Sequence, residues 1–238
     1  MSLPTSRYVV VTGTDTSVGK TVVTAALAVT LEAEGFRVSV VKPVQTGVAP
    51  GEPGDIETVA ALTGLSDVHE LSRLELPLAP ESAARAVDAR LPTVADHAET
   101  IRGLDADVVI VEGAGGLLVR LDLHGGTIRD LAAQLGADVV LVAREGLGTL
   151  NHIALTLASL AEAGITAQVV LGSCSTEPGL AEQSNQADIP RLFGQPLLGR
   201  LPEAAGTLSS DQFRAQAPHW FRDPGATTGL NRGHCSAG

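Results

Sequence analysis

The sequence predicts an α/β protein: a mostly parallel sheet with helices on both faces, in one domain over residues 1–221. Three observations carry this. Valine-rich runs without polar alternation recur along the chain, as strands buried on both faces require. Segments of helical periodicity separate them, so strand and helix alternate as βαβ crossovers. Hydrophobic residues make up 44% of the 238 residues but aromatics only 3%, so the core must be built from Val, Leu, Ile and Ala. That length suffices for one sizeable core.

Residues 7–11 read as the first strand, and 20–34 as a helix ended by Gly35. A second strand over 38–41 stops at Lys42-Pro43. Residues 47–54, rich in glycine and proline, should form a mobile loop. Residues 55–63 look helical, with Asp55 as N-cap and Gly64 as C-cap; 93–103 form an amphipathic helix capped by Thr93. The run 107–111 is a strand, 127–135 a helix, 139–143 a strand, 149–163 a helix capped by Thr149, and 168–171 a strand. A last short strand is expected at 197–199. From 222 the chain is polar, glycine-rich and aperiodic, and reads as a disordered tail to 238.

Chemistry concentrates at strand ends, where such sheets bind ligands. After the first strand comes Gly13-Thr14-Asp15-Thr16-Ser17-Val18-Gly19-Lys20-Thr21. Strand, glycine turn, then Gly-Lys-Thr opening a helix is the order that cradles phosphate, making the fold P-loop NTPase-like. Backbone N–H groups point at one anion, Lys20 reaches the outer phosphates, and the Thr21 hydroxyl can ligate Mg2+. The usual spacing wants glycine at 14, whereas here it stands at 13. Lys42 ends the second strand and is either a second cation for the phosphates or a solvated lysine before a turn. Glu112 precedes Gly113-Ala114-Gly115-Gly116 and is either a magnesium ligand or a turn cap. Asp55 is the lesser candidate on sequence alone, because Glu52 and Glu57 lie as near and an N-cap role already accounts for it. Residues 146–152 lead into a helix whose first-turn amides could hold a carboxylate.

The net charge of −11 speaks against nucleic acid or an anionic membrane as partner, and no apolar run reaches membrane-spanning length. Cys174 and Cys235 are too few for a disulfide framework or a zinc site. The six histidines, at 69, 97, 124, 152, 219 and 234, lack ligand spacing and are expected at the surface or in caps. With no leader pattern in residues 1–6, the expected compartment is the cytoplasm.

Assembled in order, GTDTSVGKT (13–21), KPVQTG (42–47), VEGAGG (111–116), LGTLNH (147–152) and PLLGRLP (196–202) resemble the dethiobiotin synthetase family over residues 8–202. The family's stretched loop also accommodates the displaced glycine. The resemblance implies a homodimer that closes a ureido ring on 7,8-diaminononanoate, using CO2 or bicarbonate, ATP and Mg2+. It implies that Ser17, Val18, Gly19, Lys20, Thr21 and Val22 wrap the phosphates, with Lys20, Lys42 and Thr16 catalytic. Thr21, Asp55 and Glu112 would hold magnesium, while Thr16, Thr46 and Lys42 meet the diamine or its carbamate. The backbone of Gly113, Ala114 and Gly115 would approach the phosphates. Amides of Thr149, Leu150 and Asn151 would take the substrate carboxylate from the other subunit. Near the base the family implies Ser173, Cys174, Pro202, Glu203 and Ala204. Where many relatives carry an Asn-Asp pair reading adenine, this chain has Gly172-Ser173-Cys174-Ser175, which lacks the paired amide donor and acceptor. A P-loop switch ATPase, a cobyrinate-diamide-synthase-like amide ligase and a binding module without turnover are the rival readings.

Overall fold

The computed structural model describes residues 6–194 and 196–221. The expected tail at 222–238, with His234 and Cys235, lies outside the described residues. Strand and helix alternate from the start: β1 (Tyr8–Gly13), α1 (Lys20–Ala33), β2 (Val38–Lys42), β3 (Gln45–Thr46), α2 (Asp55–Thr63), β4 (Val68–Glu70) and β5 (Arg73–Leu74). Then follow α3 (Pro80–Ala86), α4 (Val94–Arg102), β6 (Val108–Gly116), α5 (Ile128–Leu135), β7 (Asp138–Ala143), α6 (Thr149–Glu162), β8 (Ala167–Cys174), α7 (Leu180–Phe193), β9 (Gly199–Pro202) and α8 (Ser210–Trp220).

Seven strands form one sheet in the order β4-β2-β6-β1-β7-β8-β9, and every neighbouring pair is parallel. Because successive strand side chains point to opposite faces, each apolar run feeds two cores. Val10, Val109, Val111, Leu141 and Leu171 face α3 to α7. Val9, Val11, Ile110, Val140 and Val170 face α1, α2 and α8. Connections leave the β1–β6 pair in opposite directions, toward β2 and toward β7. The crevice this opens lies beyond the carboxyl ends of β1, β2 and β6.

Several expectations shift. The last strand is β9 at Gly199–Pro202, two residues later than predicted, because its partner β8 runs on to Cys174. β6 likewise continues past Val111 through the glycines, paired with β1 as far as Gly116. Residues 47–54 carry neither helix nor strand. α7 and α8, which contain Pro190 and Pro218, went unpredicted, although Ser209 and Gln212 form a capping box that opens α8. Among the described residues no helix is long and apolar enough to cross a membrane.

His97 is a correction of another kind. It is 1% exposed on the inner face of α4, and neither ring nitrogen has a hydrogen-bond partner. Its place in the heptad-like spacing Val94, His97, Ala98, Ile101 makes it a core residue rather than a surface one. Burial pushes its pKa down, against the pull of Asp122 and Asp96. The imidazole is therefore neutral in the fold, while the unfolded chain takes up a proton below the ordinary value near 6.5. Stability must rise with pH wherever the unfolded state binds more protons. Between pH 6.5 and 5, urea unfolding is expected to show a loss approaching at most about 1.4 kcal/mol per pH unit. His97→Leu should remove this component; an unchanged slope would refute it.

Candidate active site

The first loop is shaped by close backbone contacts. A Cβ on Gly13 would stand 2.8 Å from the Asp15 carbonyl oxygen and 2.8 Å from Val18 Cγ2. The loop folds back on position 13, which is why glycine is needed there and threonine is tolerated at 14. Gly19 has φ 97° and precedes α1 with no side-chain cap, which leaves first-turn amides for an anion. Gly19 also abuts β8, since a Cβ there would lie 2.6 Å from the Gly172 carbonyl oxygen. Val18 is 3% exposed and anchors the loop in the core instead of lining the crevice. The Lys20 ammonium is buried and donates to the Asp15 carbonyl at 3.0 Å. Burial, with the Lys42 charge second, lowers its pKa. Asp15 in turn accepts from the Thr16 N–H at 2.8 Å and pairs with Arg144 at 2.5 Å.

β2 and β6 deliver the next charges. The Lys42 Nζ donates to Glu112 Oε1 at 3.0 Å and to the Gly113 carbonyl at 3.2 Å, and it pairs with Asp55. The Thr21 hydroxyl donates to the same Glu112 Oε1 at 2.8 Å. Burial opposes the charge on Lys42, but Glu112 and Asp55 together outweigh it, and its pKa is raised. Asp55 is lowered: burial would raise it, and Lys42 overrides this. Glu112, wholly buried, is raised by desolvation against the pull of Lys42. Lys42 is therefore not a solvated lysine before a turn, and Glu112 is buried with its Oε1 shared by Lys42 and Thr21.

Asp55 is not the N-cap of α2. Gly54 holds that position, its N–H donating to Glu57 Oε2 at 2.8 Å, which frees the Asp55 carboxylate for Lys42. One cavity of about 430 Å³ gathers Thr16, Ser17, Gly19, Lys20, Thr21, Val22, Lys42, Thr46, Asp55, Glu112, Ala114 and Gly115. Val44 and Gln45 line it too, unforeseen although they lie inside the 42–47 motif.

The donor set suits a hard divalent cation. Glu112 Oε2 is buried without a hydrogen-bond partner, beside the Thr21 hydroxyl and the Asp55 carboxylate. Mg2+ is usually held by one or two carboxylates plus phosphate oxygens, so no larger acidic cage is required. Among the described residues no three His, Cys, Asp or Glu side chains form one.

Other predicted residues stand apart from this cavity. Cys174 and Pro202 line a second depression of about 440 Å³ with Ser175, Gln186, Arg200 and Trp220, which sequence reasoning missed. Ser173, Glu203 and Ala204 are exposed near its rim, with the Glu203 N–H donating to the Cys174 carbonyl at 2.9 Å. Burial and Glu145 push the Cys174 thiol up to about 12, so it is no nucleophile. Thr149, Leu150 and Asn151 open α6 and do not line either cavity. Gly148 rather than Thr149 is the N-cap; the Thr149 hydroxyl donates to the Arg144 carbonyl at 2.7 Å.

The AAA domain family matches residues 7–208. A relative from Rhodococcus jostii (strain RHA1), named ATP-dependent dethiobiotin synthetase BioD, is 52% identical over 89% of this chain and 93% of its own. One of the same name from Streptomyces coelicolor (strain ATCC BAA-471 / A3(2) / M145) is 48% identical over 90% of this chain and 92% of its own. The septum site-determining protein MinD complexed with Mg-ADP, from Pyrococcus horikoshii OT3, matches 91% of this chain and 93% of its own. Its TM-score is 0.55 at 19% identity, a likeness of fold alone.

Proposed function

This chain belongs to the dethiobiotin synthetase family of ATP-dependent ligases, and from that premise we propose how its crevice closes a ureido ring on 7,8-diaminononanoate. The observation that carries the reading is the convergence of Lys20, Lys42, Thr21, Asp55 and Glu112, from three separate crossover units, on one cavity.

In this reading the diamine reacts with CO2 to give a carbamate on one nitrogen. A carbamate oxygen attacks the γ-phosphorus of ATP, ADP departs, and a mixed carbamic–phosphoric anhydride forms. The second amine attacks the carbamoyl carbon, and phosphate leaves with ring closure. The substrate supplies both nucleophiles, so the protein's task is positioning and charge neutralisation. The first-turn amides of α1 hold the phosphates. Lys20 exchanges the Asp15 carbonyl for the outer phosphates. Lys42, held at the cavity wall by Glu112 and Asp55, stands between carbamate and γ-phosphate. The hydroxyls of Thr16 and Thr46 orient the diamine. Thr21, Asp55 and Glu112 would hold Mg2+, which supplies neutralisation of triphosphate charge when bound. Amides at Thr149, Leu150 and Asn151, which do not line the cavity of their own chain, would take the substrate carboxylate across a homodimer.

The test is phosphate release from ATP. It is expected to require Mg2+, diaminononanoate and bicarbonate together. Turnover without the diamine would replace this reading with a switch ATPase. No turnover under any of these conditions would replace it with a binding module.

A further inference from the structure

Gln45 is a buried polar side chain, 6% exposed, in the two-residue strand β3 between Lys42 and the loop at 47–54. Both ends of its amide are used. Oε1 accepts the Asp55 backbone N–H at 3.0 Å, and Nε2 donates to the Thr46 carbonyl at 3.0 Å. Asp55 is the first residue of α2, and its N–H is one of the donors a helix cannot satisfy internally. The N-cap is Gly54, and a cap side chain would serve N2 or N3; the Asp55 N–H, at N1, is taken instead by a residue ten positions upstream.

Glycine at 54 is part of the same device. A Cβ there would lie 3.0 Å from Gln45 Oε1 and 3.2 Å from Arg73 Nη2. Arg73 braces the outer side, donating to the Glu52 carbonyl at 2.7 Å and to Glu57 Oε1 at 3.0 Å. The glycine- and proline-rich loop before Asp55 has no regular structure with which to aim that carboxylate. Its position relative to Lys42 comes instead from a tertiary cap on the segment that carries Lys42.

We propose that Gln45 is a positioning residue: by capping the Asp55 N–H it holds the Asp55 carboxylate against Lys42 and Thr21, in the geometry that binds Mg2+ with nucleotide. This rests on the magnesium role read above for Asp55, but not on the identity of the diamine. Gln45→Leu removes the acceptor, and Gln45→Glu keeps one facing the Asp55 N–H.

The primary readout is calorimetric affinity for ATP as a function of Mg2+ concentration, without diamine. Gln45→Leu is expected to raise the Mg2+ needed for half-maximal ATP affinity by about 10-fold, as loss of a residue that orients a ligand does. Gln45→Glu, which keeps the acceptor but gives up the donor to the Thr46 carbonyl, should recover part of that loss. In turnover, Gln45→Leu should lower kcat while the diamine KM stays within about twofold, since Gln45 acts through Asp55. Unchanged Mg2+ dependence in Gln45→Leu, or a change confined to the diamine KM, overturns the proposal. So does Gln45→Glu being as impaired as Gln45→Leu, including both failing to fold. Diamine-independent turnover by the unmutated protein would instead sink the ring-closure reading and leave the ATP measurement intact.

Discussion

Replacing Lys42 by methionine is expected to lower diamine-dependent phosphate release by about 10³-fold, the scale set by losing a cation aimed at a transferring phosphoryl group. The same change should destabilise the fold. Lys42 is 3% exposed and shares its charge between Glu112 and Asp55, so its removal leaves a wholly buried carboxylate without its cation. Breaking a buried pair from one side costs about 3–5 kcal/mol. Lys20→Met makes the contrast. That ammonium hydrogen-bonds a backbone carbonyl, and burial and the Lys42 charge disfavour it more than Glu112, Asp55 and Asp15 favour it. Its loss should slow turnover severely while leaving urea stability within about 1 kcal/mol of the unmutated protein. The double variant Lys42→Met/Glu112→Gln should regain much of the stability and none of the rate. Near-normal turnover in either lysine variant would remove that residue from the mechanism.

Among the described glycines, Gly172→Ala brings its added methyl closest to neighbouring atoms. Its Cβ would be built 2.1 Å from the Val18 carbonyl oxygen and 2.6 Å from Val142 Cγ1. Neither the loop backbone nor a valine in the sheet can retreat cheaply, so a cost of about 3 kcal/mol is expected. The phosphate loop must move with Val18, and a displacement of about 1 Å at a reacting group is worth about 10²-fold in rate. Gly64→Ala provides the control. That residue sits at φ 75° with nothing within 4 Å, so its cost is conformational, about 1 kcal/mol, and turnover should be untouched. Urea unfolding and phosphate release on the two variants separate these effects. Full activity in Gly172→Ala would show that the loop does not depend on its packing against β8.

What could be read in advance follows from which interactions are local. The strands β1, β2 and β7, the start of α1 at Lys20 and Gly64 as a cap depend on neighbours in sequence. They stand within two residues of where the pattern puts them, whereas the short β3, β4 and β5 give no such signal. Lys42 and Glu112 were legible as strand-end charges, but their partnership is a contact 70 residues apart. Asp55 was misread as a cap because Asp before a helical pattern usually is one. Here Gly54 and Glu57 take that job, and tertiary charge claims the carboxylate. Gln45 carried no signal beyond its place in a motif, since a glutamine declares its partner only when α2 is folded against it. Arg200, Gln186 and Trp220 come from β9, α7 and α8, and two of those elements were themselves illegible. His97 was missed because an imidazole at an inward helical position looks the same in sequence as one facing water.

The bond from Lys20 to the Asp15 carbonyl has a bearing on how nucleotide arrives. The Lys20 ammonium ties the turn to itself through that carbonyl, so the curl of the loop is held by the protein's own bonds. In the proposed mechanism, capture of the outer phosphates swaps one acceptor for another at the tip of this single side chain. The ordering that a slack loop would have to undergo at each encounter has been completed once, when the chain folds.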